Sequence, residues 1–200
     1  MKNRVLLLSG VALGMCLVSP THSHAAEDVN SLVPRLHGSL VLKSMPLSPI
    51  VNRKITTWVY LPPGYDKGTA RYPVIYLLHG QPGGWTDCYL SGRVEEMANN
   101  LIASGQMKPA ILVAFDADGP KGPNDITNFC NRVTDGYRAE DFICDELVPY
   151  IDANYRTVAN GGDRALWGYS AGGFGALNLG LRHLGEWNIW ASHAGYYQAS

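Results

Sequence analysis

The pentapeptide Gly168-Tyr169-Ser170-Ala171-Gly172 decides the fold assignment of this chain. It matches the pattern G-x-S-x-G and lies between an apolar run at Ala165–Gly168, which predicts a buried strand, and a helical pattern at Ala171–Leu184. A serine at such a strand–turn–helix junction is lifted above the edge of the sheet, at the positive end of the helix dipole. The motif therefore predicts that Ser170 is a nucleophile.

The two glycines of the motif follow from the tightness of this turn. Side chains two residues before and two residues after Ser170 would collide, so Gly168 and Gly172 are expected to be required for the turn itself. A glycine-rich turn without a chemical role is the alternative interpretation. The position of the motif between a strand and a helix favours the catalytic one.

The elements around the motif alternate between strands and helices. Apolar and β-branched runs predict strands at Leu36–Leu42, Ile55–Leu61, Val74–Leu78, Ala110–Phe115, Ala165–Gly168 and Ile189–Ser192. Periodic apolar residues predict helices at Arg93–Ala103, Ala139–Tyr155 and Ala171–Leu184. Pro149 should bend the second helix. The run Ile189–Ser192 is typical of a strand covered on both faces, but in a chain that stops at Ser200 it is expected to form an exposed edge of the sheet. This order predicts an α/β fold with a mostly parallel sheet flanked by helices.

The predicted topology gathers distant residues at one edge of the sheet. Right-handed crossovers place every loop that follows a parallel strand on that edge. Gln81, Asp116 and Ser170 are therefore expected to lie together. The loop Asp116–Asp135 is long for a compact domain, which is typical of a functional or mobile segment.

A second glycine-rich segment, His79-Gly80-Gln81-Pro82-Gly83-Gly84, follows the predicted strand Val74–Leu78. Attack by a serine on a carbonyl carbon places negative charge on the oxygen, and N–H donors must stabilise it. The backbone N–H of Ala171 is one expected donor, and that of Gln81 is the other. His79 is interpreted as a structural residue that shapes this loop.

Three residues just after this loop allow two interpretations. Trp85, Asp87 and Tyr89 either line an acyl or alcohol pocket or form a packing cluster. Asp116 and Asp118 lack the ligand spacing of an EF-hand and are interpreted as part of a turn.

Composition excludes other classes of function. The chain has 16 Lys and Arg residues against 17 Asp and Glu residues, and the basic residues are scattered, which argues against nucleic-acid binding. A length of 200 residues accommodates one sizeable domain.

The N-terminal segment has the pattern of a cleaved secretory signal. Two basic residues precede the apolar run Val5–Val18, and Ser23-His24-Ala25 supplies small residues for a signal peptidase. The run is shorter than the roughly 20 residues of a membrane span, so no stable membrane insertion is expected. The alternative is a retained anchor. We expect a signal at residues 1–25, a domain at 26–200, and a secreted or periplasmic protein.

Three cysteines remain after removal of the signal, namely Cys88, Cys130 and Cys144. Export permits disulfides, and three cysteines allow at most one internal pair. Cys130–Cys144 is the preferred pairing. None of the three has metal-ligand spacing with a histidine, so no metal site is predicted.

Several stretches resemble a known family of α/β-hydrolases, the putative esterase family. They are Tyr76-Leu77-Leu78-His79-Gly80, Glu146-Leu147 with Pro149 and Ile151-Asp152, Asn154-Tyr155-Arg156-Thr157, the Ser170 motif and Trp58–Tyr65. The family includes esterase D, feruloyl and xylan esterases, enterochelin esterases and mycolyltransferases. The resemblance spans about Gly38 to Gly195 and implies an α/β-hydrolase fold, a Ser-His-Asp/Glu triad and no cofactor.

The motif and the resemblance together predict a serine hydrolase of carboxylic esters, acting on a small-molecule or polysaccharide-linked ester. The signal pattern predicts that it is secreted. One alternative is an acyltransferase to a sugar hydroxyl, as in the mycolyltransferases. Another is an inactive relative that only binds carbohydrate or cell-wall polymer.

The triad acid and histidine should follow the serine in the chain, and here the sequence departs from the family pattern. His183 and Glu186 end the helix after the motif, so they are expected at the opposite edge, roughly 20 Å from Ser170. His193 ends the last strand at the correct edge but has no downstream acid. We therefore expect the acid and base to lie beyond Ser200 and the C-terminal part of the fold to be missing.

Overall fold

The computed structural model describes residues 38–122 and 125–196. The predicted signal segment 1–25 lies outside these residues. Within the described ranges, no helix has the length and apolar character needed to cross a bilayer.

A sheet of six strands forms the centre of the described chain, in the order β1-β2-β4-β3-β5-β6. Its strands are β1 (Ser39–Leu47), β2 (Lys54–Leu61), β3 (Val74–Leu78), β4 (Ile111–Phe115), β5 (Arg164–Tyr169) and β6 (Ile189–His193). β1 pairs with β2, and β2 with β4, in antiparallel fashion. The β3–β4, β3–β5 and β5–β6 pairs are parallel. The predicted mostly parallel sheet is confirmed.

Helices follow the parallel strands. They are α1 (Asp87–Leu90), α2 (Val94–Ala103), α3 (Ala139–Asp141), α4 (Val148–Asn154) and α5 (Ala171–Arg182). A π-helical segment, Phe142–Leu147, joins α3 to α4. Pro149 lacks an N–H group and so removes one i→i−4 hydrogen bond. The expected irregularity takes the form of the π-helical turn, which ends two residues before this proline. The four-residue α1 was not predicted, because it is too short for an apolar period to show.

The two faces of the sheet carry separate apolar clusters. One face packs against the α3–α4 region and α5 through residues that include Tyr76, Val113, Leu166, Ile143, Leu147, Ile151 and Leu179. The other packs against α1 and α2 through Trp58, Tyr60, Leu77, Leu112, Tyr89 and Ala98. All five residues of β4 are buried, as expected for a strand covered on both faces.

Burial ends at β6, the last strand of the described sheet. Its side chains alternate between exposed and partly buried, and Ile189 is 59% exposed. Ile189–Ser192 therefore forms an edge of the described sheet, as predicted, whereas the expectation that both of its faces are covered is wrong for the described part of the chain. The apolar run alone could not distinguish an interior strand from an outer one.

The predicted Cys130–Cys144 disulfide is also wrong, because all three cysteines of the described ranges are free thiols. The Nδ2 of Asn178 donates to the Sγ of Cys130 at 3.2 Å. Burial raises the pKa of Cys130 to about 11 and that of Cys144 to about 12, with the nearby Glu140 carboxylate contributing to both. Sequence separation did not reveal which way these two side chains point.

Candidate active site

Ser170 occupies the turn between β5 and α5. Its backbone has φ of 54° and ψ of −115°, a conformation that residues other than glycine rarely adopt and that costs about 1–3 kcal/mol. The N–H of Ser170 donates to the carbonyl of His193 at 2.9 Å, and the Ser170 carbonyl accepts from the N–H of Phe174 at 3.1 Å. The strained turn is therefore held between β6 and the first turn of α5.

The glycines of the motif lie where backbones touch. A Cβ on Gly168 would come within 1.9 Å of the Gly172 carbonyl oxygen, and a Cβ on Gly172 within 2.0 Å of the Leu78 carbonyl oxygen. Neither position has room for any side chain. Glycine here brings the end of β3 into direct contact with the start of α5.

The same packing brings the segment 79–84, here called the oxyanion loop, beside Ser170. A Cβ on Gly80 would lie 3.4 Å from the Cβ of Ser170 and 2.9 Å from the Cδ1 of Tyr169. Among the described residues, no acceptor takes a hydrogen bond from the backbone N–H of Gln81 or of Ala171. The two predicted oxyanion donors thus lie on adjoining segments with free N–H groups.

Carboxylates hold the oxyanion loop at two points. The Nε2 of Gln81 donates to the Oδ1 of Asp118 at 3.4 Å. The backbone N–H of Gly84 donates to the Oδ2 of Asp87 at 2.9 Å. Asp118 follows β4 and Asp87 begins α1, so both contacts tie the loop to neighbouring elements.

A cavity of about 380 Å³ opens between the oxyanion loop, α1, the start of α2 and the end of β5. Its lining residues are His79, Gly80, Gln81, Pro82, Asp87, Cys88, Ser91, Gly92, Val94, Trp167 and Tyr169. The buried Oε1 of Gln81 has no hydrogen-bond partner among the described residues. The cavity therefore combines mostly apolar walls with a few polar groups, as small-molecule sites do.

The two interpretations of Trp85, Asp87 and Tyr89 are each correct for part of the set. Asp87 lines the cavity. Trp85 and Tyr89 instead pack edge-on against Trp58, with ring centroids 5.9 Å and 5.4 Å away.

His79 is enclosed beneath the oxyanion loop. It is 2% exposed, its Nδ1 lies 3.0 Å from the Gly80 carbonyl oxygen, and its ring packs edge-on against Phe129 at 5.3 Å. Phe129 comes from the long loop after β4 and also fills the space beside Gly175 in α5. His79 thus joins the oxyanion loop to that loop, in keeping with a structural role.

The histidines that follow Ser170 in the chain do not contact its side chain in the described structure. His183 lies at the end of α5, where its Nε2 is 2.8 Å from the Oε1 of Glu140. His193 lies at the same sheet edge as Ser170, in register with Tyr169, and its ring centroid is 6.0 Å from the Tyr169 ring.

Glu186 lies at the opposite end of β5 from Ser170. Its Oε2 is 3.4 Å from the Nη1 of Arg164, the first residue of that strand. The sequence placed His183 and Glu186 at this far edge correctly.

Asp116 and Asp118 form a turn anchored by Arg53. Arg53 pairs with the Asp116 carboxylate, and the N–H of Asp118 donates to the Oδ1 of Asp116 at 3.0 Å. Within the described ranges, no group of three or more His, Cys, Asp or Glu side chains could hold a metal ion. The contact of Asp118 with Gln81 was missed, because sequence predicts which loops meet but not which side chains touch.

Known proteins and a family model match this chain over most of its length. The family model described as Putative esterase matches residues 48–200. The chain is 36% identical over 148 residues to an endo-1,4-beta-xylanase/feruloyl esterase of Xylanibacter ruminicola, covering 70% of this chain and 19% of that protein. It is 35% identical over 139 residues to an esterase of Mycobacterium tuberculosis, covering 68% of this chain and 28% of the other.

Solved structures show the same fold. A ferulic acid esterase superposes with a TM-score of 0.67 at 31% identity, over 75% of this chain and 57% of that one. An S-formylglutathione hydrolase from Staphylococcus aureus superposes with a TM-score of 0.62 at 17% identity, over 80% of this chain and 59% of that one.

The chain spans less than a third of the length of the two sequence relatives and just under three fifths of each of the two structures. Its sheet and flanking helices are those of the α/β-hydrolase fold. Because the family model covers residues 48–200, this chain belongs to the Putative esterase family of α/β-hydrolases.

Proposed function

We propose that this protein is a serine carboxylic-ester hydrolase that works through an acyl-enzyme at Ser170. The observation that carries the proposal is the contact between the strained Ser170 turn and the oxyanion loop, beside a cavity large enough for a small acyl or alcohol group. The names of its relatives support the same class of reaction.

In the proposed reaction, the Oγ of Ser170 attacks the carbonyl carbon of the ester. The N–H groups of Gln81 and Ala171 donate to the negatively charged oxygen of the tetrahedral intermediate, and the positive end of the 12-residue α5 favours the same charge. Collapse expels the alcohol and leaves an ester on Ser170. Water then hydrolyses that ester and releases the acid.

This mechanism also needs a general base, which takes the serine proton, and an acid that orients it. No described histidine or carboxylate is hydrogen-bonded to the Ser170 side chain. We propose that both groups come from outside the described residues. Each would then approach Ser170 from the open side of the turn, near β6.

The proposed substrate is a small-molecule or polysaccharide-linked ester met outside the cytoplasm. Trp167, Pro82 and Val94 give the cavity apolar walls that suit an aromatic or aliphatic group, while Asp87 and Gln81 supply polar contacts. The relative named as a feruloyl esterase supports an ester of an aromatic acid. The signal pattern at residues 1–25 supports export.

A fluorophosphonate probe tests the proposed nucleophile in the full-length protein. We expect the probe to label the wild-type protein on Ser170, and Ser170→Ala to abolish both labelling and ester turnover. Ser104→Ala is the matched control, because Ser104 is an exposed serine at the end of α2 and should be dispensable. Label on another serine in the wild-type protein would overturn the proposal.

An ester-turnover assay with an added sugar acceptor separates hydrolysis from acyl transfer. With an activated ester and a sugar acceptor present, a hydrolase releases free acid at a rate that does not depend on the acceptor. Acceptor-dependent formation of a sugar ester would instead support the transferase alternative.

A further inference from the structure

One side-chain hydrogen bond connects the oxyanion loop to the segment after β4. It runs from the Nε2 of Gln81 to the Oδ1 of Asp118. Asp118 is 8% exposed, so water has little access to compete for this carboxylate. The Oε1 of Gln81 has no partner among the described residues, which leaves the Asp118 contact as the described restraint on the orientation of this side chain.

Asp118 is itself firmly anchored. Its N–H donates to Asp116, and its carbonyl oxygen accepts from the Nη1 of Arg53 and from the hydroxyl of Tyr137 at 3.1 Å. Arg53 precedes β2, whereas Tyr137 lies just before α3. The Asp118 backbone is thus fixed from three directions, and its carboxylate can act as a rigid reference point for the loop.

The position of this reference point matters because of what Gln81 is proposed to do. An oxyanion donor must lie about 2.7–3.1 Å from the charged oxygen, and a misplacement of about 1 Å can cost on the order of 100-fold in rate. The backbone N–H of Gln81 lies in a loop where Pro82 fixes one φ angle, but glycines at positions 80, 83 and 84 do little to stiffen the rest.

We propose that Asp118 is a positioning residue, which holds the Gln81 side chain and thereby orients the Gln81 backbone N–H toward the developing oxyanion. This inference rests on the proposed function of Ser170. It assigns Asp118 no contact with the substrate.

The charge on Asp118 gives the contact a signature in solution. Burial raises the pKa of Asp118 above its usual value and the Asp116 carboxylate raises it further, while His79, Arg53 and Gln81 act in the opposite direction. These are the groups that face the carboxyl group. Because a charged acceptor forms the stronger hydrogen bond, the contact should weaken as the pH falls through this raised pKa.

A double-mutant cycle in the full-length enzyme tests the inference. We expect Asp118→Ala to lower kcat about 10- to 100-fold with KM changed less than about twofold, since the donor is needed mainly in the transition state. Gln81→Met keeps the backbone N–H but removes the side-chain amide, so Asp118→Ala should add little further loss in that background. Asp118→Asn retains an acceptor oxygen and should recover most of kcat.

Asp141→Ala is the control for removing a carboxylate, because Asp141 pairs with Arg138 and Asn131 away from the oxyanion loop. Its kcat should match that of the wild type. Equal losses from Asp118→Ala in the wild-type and Gln81→Met backgrounds would overturn the inference. So would a loss confined to KM.

A readout that does not need activity separates this inference from the proposed function. In ¹⁵N-labelled protein, the side-chain amide signals of Gln81 should shift as Asp118 titrates, and the shift should disappear in Asp118→Asn. Turnover without this dependence would overturn the role of Asp118 alone. Absence of both Ser170 labelling and turnover in the wild-type protein would overturn the proposed function, and this inference with it.

Discussion

On the inner side of the Ser170 turn, a Cβ on Gly168 or Gly172 would lie 1.9–2.0 Å from a backbone carbonyl oxygen. On the outer side, a Cβ on Gly173 would approach the backbone of Gly195 only to 3.0 Å, and the side chains of β6 are alternately exposed. The inner side has no space for a methyl group at Gly168 or Gly172. The outer side holds His193 at the surface. The nucleophile and the oxyanion donors are thus assigned to the tightly packed side, and the proton-transfer groups to the open side.

The largest effect is expected from a substitution that disrupts the packing on the inner side. Gly172→Val would press a branched side chain against the Leu78 carbonyl oxygen, which lies 2.0 Å from the Cβ position. We expect loss of ester turnover and a fall in the free energy of unfolding of about 1–3 kcal/mol, because the clash forces the end of β3 and the start of α5 apart. Thermal unfolding and a chromogenic ester assay measure the two effects.

Gly68→Val is the matched control for this substitution. Gly68 has φ of −131° and only ordinary contacts around its Cβ position, so valine should fit without strain. A Gly172→Val enzyme as stable and active as the Gly68→Val enzyme would show that the close backbone contact is not required.

A milder change on the same side should separate activity from stability. In Gly80→Ala the new methyl group meets the Tyr169 ring at 2.9 Å and the Cβ of Ser170 at 3.4 Å. The oxyanion loop must then shift by a few tenths of an ångström. We expect kcat to fall about tenfold while the melting temperature changes little. A normal kcat would mean that the loop does not need its observed distance from Ser170.

On the outer side, removal of the nearest histidine should have a small effect. His193 packs its ring beside Tyr169 and makes no hydrogen bond to the Ser170 side chain. His193→Ala should therefore retain kcat within about threefold, and His183→Ala is the control at the far edge of the sheet. A fall in kcat of about 10⁴-fold is typical of a missing triad member and would identify His193 as the general base. The proton-transfer groups would then lie within the described residues.

The smallest expected effect concerns Cys88 in the cavity wall. Burial and, to a smaller extent, the Asp87 carboxylate raise the pKa of this thiol to about 12. At pH 8 the group is therefore almost entirely the unreactive thiol. Iodoacetamide should leave Cys88 of the native protein unmodified at pH 8, with turnover unchanged. Rapid alkylation by that reagent would show that the cavity wall opens.

The inner side was largely predictable from sequence, because its close packing requires glycines and apolar runs that can be recognised in the sequence. Val74–Leu78 was predicted with the bounds that the structure has, and the strand before Ser170 was predicted within one residue at each end. Gly172 shows why the turn could be predicted, since a turn this tight permits only glycine at that position.

The remainder depends on contacts that leave no local pattern. The exposed faces of β6 and the unpaired state of Cys130 and Cys144 are set by the packing of distant elements. The contact between Asp118 and Gln81 joins two residues that are 37 positions apart in the sequence. Side chains in such loops follow no periodic pattern, so their directions could not be predicted.

The proposed mechanism requires Ser170 to carry the acyl group during turnover. The most direct measurement is mass spectrometry of the full-length enzyme, quenched in acid during turnover of an activated aromatic ester and digested to peptides. We predict that the acyl mass is found on the peptide containing Ser170 and is absent from Ser170→Ala. Steady turnover with no acyl adduct, or an adduct on a different residue, would contradict the account.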